Sequence, residues 1–316
     1  KNTNDLIRHI IVEQKEMRDF APDDFEWFEK IYCQNPNEEL VSKIANFYSE
    51  KLGNFTPDFI FPYSYHVPYL RKLYPNALIG SSENGFFGDI GFKSSIYFDF
   101  FGYPKNSYIY QYSEELKNVP ISSIEKENIN KLRKIYLSKI TEVSPYSKLI
   151  NKIKEKKGFK YYLLFPMQQN NHYLTNIGSL HSQEQKLFYI LENLPDDVGL
   201  IVTQNRTLLY NNILKMNLLD YLEKKYSNFI YSPDFENYLH TSILLMPYID
   251  GVIGHQTSLA NHAIFSDKPF FTIGDSYTKS FSEEVSLPNV KDILDNKNFK
   301  NKDNVINHLL KHYYIF

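Results

Sequence analysis

Six short polar stretches in this chain carry side chains suited to chemistry. SSENGFFGD (81–89) holds Glu83, a carboxyl able to serve as a general acid or base, ahead of two glycines that allow a tight loop. MQQNNHY (167–173) offers Gln168, Gln169, Asn171 and His172, and QNRT (204–207) offers Gln204. PDFEN (233–237), HQTS (255–258) and DSYTK (275–279) complete the set, the last two bringing His255, Gln256, Thr257, Ser258 and Lys279. Thr257 and Ser258 stand where a helix cap belongs. A helix start presents free N–H groups and a partial positive field, which together favour a phosphate. Plain capping would explain the same pair, and a solvated turn would explain Glu83.

Other chemistries lack their residues. Of the 9 histidines, His172, His255 and His262 fall near these stretches, but no HExxH pattern occurs, so a metal centre is not indicated. There is no GxGxxG, no GKS or GKT loop and no GxSxG elbow, which weighs against dinucleotide enzymes, kinases and α/β-hydrolases.

The elements around these stretches explain their positions. After about residue 158 the chain alternates cleanly. KYYLLFPM reads as a strand and SQEQKLFYILENL as a helix; GLIVTQN is a strand and NILKMNLLDYLEKKY a helix. NFIYS, DGVIGH and PFFTIG are further strands, with ENYLHTSILLMPYI and SLANHAIFSD as the helices between them. Such a series argues for a doubly wound parallel sheet, in which ligands bind beyond the carboxyl ends of the strands. Most of the polar stretches directly follow a strand.

The first half is less regular. Helical spacing in FEWFEKIY and EELVSKIANFYSEKL is followed by apolar runs in DFIFPYS, NALIGSSE and SSIYFDFFGY. From 121 to Gly158 the chain reads as two charged helices forming a connector, with Gly158 as the stop. The boundary is placed there: 1–158 as a first α/β domain with its helical connector, 159–316 as a second, Rossmann-like domain. The tail DNVINHLLKHYYIF reads as a closing amphipathic helix.

Bulk composition narrows the classes. With 316 residues and 42% hydrophobic content, two ordinary domains can each bury a core. A net charge of −2 lacks the basic footprint of a nucleic-acid binder. The single cysteine, Cys33, excludes an intrachain disulfide framework and suits a reducing compartment. The aromatic content of 16% fits clefts that stack sugars or flat rings, and equally a biased genome. No apolar run is long enough to span a bilayer, so a cytoplasmic protein is expected, with the basic stretch around Lys152–Lys157 as a surface for peripheral contact with an anionic inner membrane or as a plain solvated face. The chain opens on Lys1, which reads as a trimmed start.

The same strand-end residues carry a family resemblance. SENGFFGD, LFPMQQNNHY, LIVTQNR and VIGHQTSLANHAIFSDKPFFTIG, in that order, resemble the motifs of the retaining β-Kdo transferases of bacterial capsule and O-antigen assembly. The resemblance implies the GT-B fold, an α/β architecture of two Rossmann-like domains facing across a cleft. It implies a nucleotide-sugar donor, CMP-Kdo in that family, held by the second domain. It also implies an acceptor glycan, free or lipid-linked, on the first, with no separate cofactor and no metal. Glu83 would take the acid/base place, Asn171 and His172 would lie near the anomeric carbon, and Gln168, Gln169, Gln204, His255, Gln256, Thr257, Ser258 and Lys279 would bind the donor.

Three departures stand out. The family's nucleophilic Asp corresponds to a region reading Asn170, Asn171, His172, and an amide cannot replace a carboxylate as nucleophile. Gln204 stands where the family has a His, and His262 replaces an acidic residue. Two other readings therefore stay open: another enzyme of the same shape, such as a sugar epimerase or pyruvyl transferase, and a non-catalytic relic that binds a glycan or nucleotide.

Overall fold

A computed structural model describes residues 15–16, 19–20, 37–62, 67–84, 95–101, 107–168, 182–204, 216–274, 277–283, 285–296 and 302–315. The chain forms two compact units. The first comprises 1–83, 98–103 and 171–173; the second comprises 84–97, 104–170 and 174–316. Residues 104–158, expected to belong with the first domain, thus lie in the second unit.

In the first unit, helix α1 (Glu38–Leu52) starts at Asn37, whose side chain accepts from the Leu40 N–H at 2.9 Å. It ends at Gly53, whose φ of 59° needs no Cβ accommodation. Its buried Val41, Ile44 and Ala45 pack with Tyr69 and Leu70 of α2 (Val67–Leu73). Strand β1 (Phe59–Ile60) pairs in parallel with β2 (Leu78–Ile79), and β3 (Ser81–Asn84) follows.

The second unit includes the start of β4 (Ile96–Asp99), two short helices, α3 (Tyr108–Gln111) and α4 (Ser113–Lys117), and then the long α5 (Ser123–Val143). A capping box opens α5: Ser122 accepts from the Glu125 N–H while Glu125 accepts from the Ser122 N–H. Its buried Ile129, Arg133, Tyr136 and Ile140 recur at helical spacing. Helix α6 (Ser147–Lys157) stops at Gly158 in the left-handed conformation, as the sequence predicts.

Beyond α6 lie β5 (Tyr161–Met167), α7 (Gln183–Asn193), β6 (Val198–Gln204), α8 (Met216–Lys225) and β7 (Phe229–Ile230). Then come α9 (Thr241–Leu244), β8 (Gly251–Gly254), α10 (Leu259–Phe265) and β9 (Phe270–Thr272). The segment expected as one helix before β8 is broken. A 3-10 turn at Pro233–Glu236 precedes α9, which starts from His240 at φ 58°, and a second turn, Met246–Tyr248, contains Pro247. Left-handed backbone at one end and proline at the other prevent a continuous helix. The chain closes with α11 (Val290–Asn296), α12 (Asp303–His308), a π-helical turn and β10 (Tyr314–Ile315). Its expected final helix therefore ends early, and β10 pairs antiparallel with β4.

The main sheet runs β7-β6-β5-β8-β9, parallel throughout. Alternate residues feed two cores. Leu164, Ile201, Val252 and Phe270 face a layer built by α5, α6, α9, α10 and α12. Leu163, Val202, Ile253 and Phe271 face α7, α8 and α11. Two buried ion pairs tie the C-terminal segment to this unit: Arg133–Asp303 at 2.5 Å and Lys302–Glu283 at 3.2 Å.

Candidate functional site

Strand order fixes where a ligand can enter. The chain passes from β5 outward to β6 and β7, then returns to β5's other edge with β8 and continues to β9. The reversal between β5 and β8 opens a crevice beyond their carboxyl ends. Gln168, directly after β5, spans it: its Nε2 donates to the Gln256 carbonyl after β8 at 3.2 Å, and its backbone N–H donates to Gln183 Oε1 at 3.2 Å. Its Oε1 is buried and has no hydrogen-bond partner among the described residues.

At this place lies a cleft of about 310 Å³ whose described lining residues all belong to the second unit. Its floor comes from the ends of β5 and β6, including Met167, Gln168 and Gln204. One wall is the 238–243 corner, and the other is formed by Thr257, Ser258, Leu259 and His262. Ligand pockets start at about 300 Å³, so the cleft suits a nucleotide-sized group. Among its described lining residues are no lysine, arginine or carboxylate. Hydroxyls, amides and two imidazoles supply its polarity.

Several of these groups are already positioned. Gln204 Nε2 donates to Glu236 Oε1 at 3.1 Å, and the Tyr231 hydroxyl donates to the same oxygen. Burial and that carboxylate push the Tyr231 phenol well above its usual value, so it stays protonated. Thr203 Oγ1 and Ser242 Oγ lie 2.8 Å apart. Thr241 Oγ1 donates to the Phe235 carbonyl at 2.7 Å and lies 2.8 Å from the buried Tyr146 hydroxyl, which pins the corner presenting Tyr238 and Leu239. Tyr146 also meets the Tyr238 ring edge-on, centroids 5.8 Å apart.

The residues read from the sequence divide into three groups. Gln168, Gln204, Thr257 and Ser258 converge on the cleft. His255 and Gln256 are not among its lining side chains. His255 is buried, with Nδ1 2.6 Å from the Ile273 carbonyl, and Gln256 turns at φ 50° and offers its carbonyl to Gln168. Lys279 is exposed on the 3-10 turn Tyr277–Phe281, also away from the lining. Gln169, Asn171 and His172 lie outside the described residues. Glu83 lies on β3 in the first unit, its side chain outside the described set.

The capping expectation needs one correction. Ser258 occupies the N-cap of α10 in helical conformation with no side-chain cap bond. The Leu259 N–H instead donates to Thr257 Oγ1 at 3.2 Å. Ser258 is thereby left exposed on the cleft wall.

Sequence reading missed the 238–243 wall because HTSILL has the apolar content of an ordinary helix; only the Thr-Ser pair hinted at a helix start. It also missed Lys186, one turn from Gln183 on α7, which is 1% exposed. Burial pulls its ammonium down to about 8.

The α/β arrangement around this parallel sheet has a counterpart among solved structures. A solved structure similar to it is Thermosulfurimonas dismutans KpsC, a beta Kdo 2,7 transferase. The match has a TM-score of 0.54 at 14% sequence identity and covers 89% of this chain and 83% of that one. No family model matches the chain, and no curated protein matches it by sequence.

Proposed function

We propose that this chain is a glycosyltransferase that moves a sugar from a nucleotide donor, CMP-Kdo in the reading from its motifs, to a bacterial surface glycan. The observation that carries the proposal is the donor-rich, nucleotide-sized cleft at the strand reversal of a sheet resembling that of a Kdo transferase. In this reading the second part of the chain, 159–316, holds the donor and the first part, 1–158, the acceptor. Gln168, Gln204, Thr257 and Ser258 bind the nucleotide directly. Gln169 and Lys279 contribute from neighbouring loops, and His255 and Gln256 shape the turn after β8. Hydrogen-bond donors preorganised in a water-poor site neutralise the leaving phosphate. Glu83 is the acid/base, with Asn171 and His172 near the anomeric carbon. The protein works at the cytoplasmic face of the membrane; among the described residues no helix is long and apolar enough to cross it.

Calorimetric titration with CMP, CMP-Kdo and UDP-sugars tests this. The expected result is saturable binding of a cytidine ligand, weakened at least tenfold in Gln168→Leu; binding of none of them refutes the proposal. A second reading, a binding relic, is favoured by the amide at the nucleophile position. It gains if the wild-type chain binds donor without turnover and Asn170→Asp or Asn171→Asp gains transfer activity.

A further inference from the structure

His262 lines the cleft one helical turn beyond Ser258, so both face the same wall. Its ring is held from behind. Nδ1 is hydrogen-bonded to the Tyr136 hydroxyl, which reaches in from α5. Both side chains are buried, Tyr136 to 2% exposure and His262 to 5%. Tyr136 is itself fixed by the edge of Phe265, centroids 5.3 Å apart at 90°. One turn earlier on α5, Arg133 donates to the Ile264 carbonyl at 3.3 Å and pairs with Asp303. Helix α5 is therefore held to α10 at Ile264 and Phe265 as well as at the imidazole.

We propose that Tyr136 and His262 form a tautomer lock that presents His262 Nε2–H to the phosphate of the bound nucleotide, a role that rests on the glycosyltransferase reading. A phenol is a stronger hydrogen-bond donor than acceptor, and an unprotonated imidazole nitrogen is a strong acceptor. When the Tyr136 O–H donates to Nδ1, the ring's own proton must sit on Nε2. The neutral imidazole then offers a donor to an anion without needing to be protonated, which suits a cleft with no cationic side chain among its described lining. Tyr136 is a positioning residue, since it acts through His262. The described charged or titratable groups near α10 include Tyr136 and Arg133 on α5, Asp303 paired to Arg133, His255 after β8, His240 before α9, Asp267 and Lys268 directly after α10 and Lys279 on the following 3-10 turn.

The test uses the whole chain labelled with 15N-histidine. The resonances missing in His262→Gln identify His262. The expected wild-type spectrum shows a protonated Nε2 and an unprotonated Nδ1, and Tyr136→Phe, checked for native circular dichroism, shifts the proton towards Nδ1. A protonated Nδ1 in the wild type, or an unchanged pattern in Tyr136→Phe, overturns the lock. In the second arm CMP and UMP are added. The Nε2 resonance should move, and His262→Asn, whose amide reaches only the Nδ1 place, should bind roughly tenfold more weakly. His262→Gln, whose amide reaches the Nε2 place, should stay within about threefold of wild type. Nucleotide binding that leaves the resonance unmoved and His262→Asn unaffected overturns the inference but not the glycosyltransferase reading. Binding of neither nucleotide overturns both.

Discussion

The two units invest very differently in their sheets. In the second, β5 and β6 pair over seven residues each, from Tyr161↔Val198 to Met167↔Gln204, and helices cover both faces. In the first, β1 and β2 pair over two residues, and Phe59 and Leu78 within them and Phe61 just after β1 remain 61%, 46% and 52% exposed. A strand buried on both faces fixes its end loop to within the packing tolerance of a close-packed core. A two-residue strand with an open face does not. The cleft that converges from strand ends therefore belongs to the unit whose strands are fully paired. This is the physical reason to look for nucleotide binding there.

Truncations sharpen the contrast most. Leu164→Ala, at a fully buried position on β5, should cost about 2–5 kcal/mol. Phe61→Ala, at a half-exposed position in the first unit, should stay within roughly 0.5 kcal/mol. Urea unfolding of both variants measures the difference, and equal losses would break the comparison.

Lys186 gives the next effect. Its folded-state value of about 8 lies below the usual 10.5. Between those values the unfolded chain holds a proton that the folded chain has released, so stability rises as pH climbs through that window. The rise is about 3 kcal/mol at most. Below pH 8 the burial penalty is fully present. Lys186→Met should remove the rise, read as urea midpoints at pH 7 and pH 10.

Smaller still is the cap of α7. Ser182 accepts from the Gln185 N–H at 3.1 Å, and Gln185 returns the bond to the Ser182 N–H at 3.0 Å. Ser182→Ala should cost about 1 kcal/mol. Because Gln183 on the same turn holds the Gln168 N–H, nucleotide affinity should fall alongside the melting temperature. A melting loss with unchanged affinity would separate this helix from the site.

The smallest effect is acidic. Lys311, then Ser122 and Asn307, hold the Glu125 carboxyl down to about 2 against the usual 4.5. A lowered carboxylate stabilises the fold above its unfolded value and loses that contribution as pH falls from 4.5 towards 2. Glu125→Gln should flatten the wild-type decline in that window, followed by acid titration of ellipticity.

Local pattern and punctuation were legible in the sequence itself. Near-continuous apolar runs marked the parallel strands, Gly158 marked the end of α6, and the polar stretches after the strands marked the edge at their carboxyl ends. The sequence also placed Gln168, Gln204, Thr257 and Ser258 at that edge, where the cleft includes them. These features depend on neighbours along the chain, which periodicity and turn chemistry encode. The direction in which each strand-end side chain turns was decided in three dimensions. His255 follows β8 just as Gln168 follows β5, yet it turns inward to the Ile273 carbonyl while Gln168 crosses the strand reversal. Tyr136 stands in a helix that reads as a connector, and only its packing on α10 brings it to His262. Strand order and helix docking are set by contacts between residues far apart in the chain, and no local spacing records them.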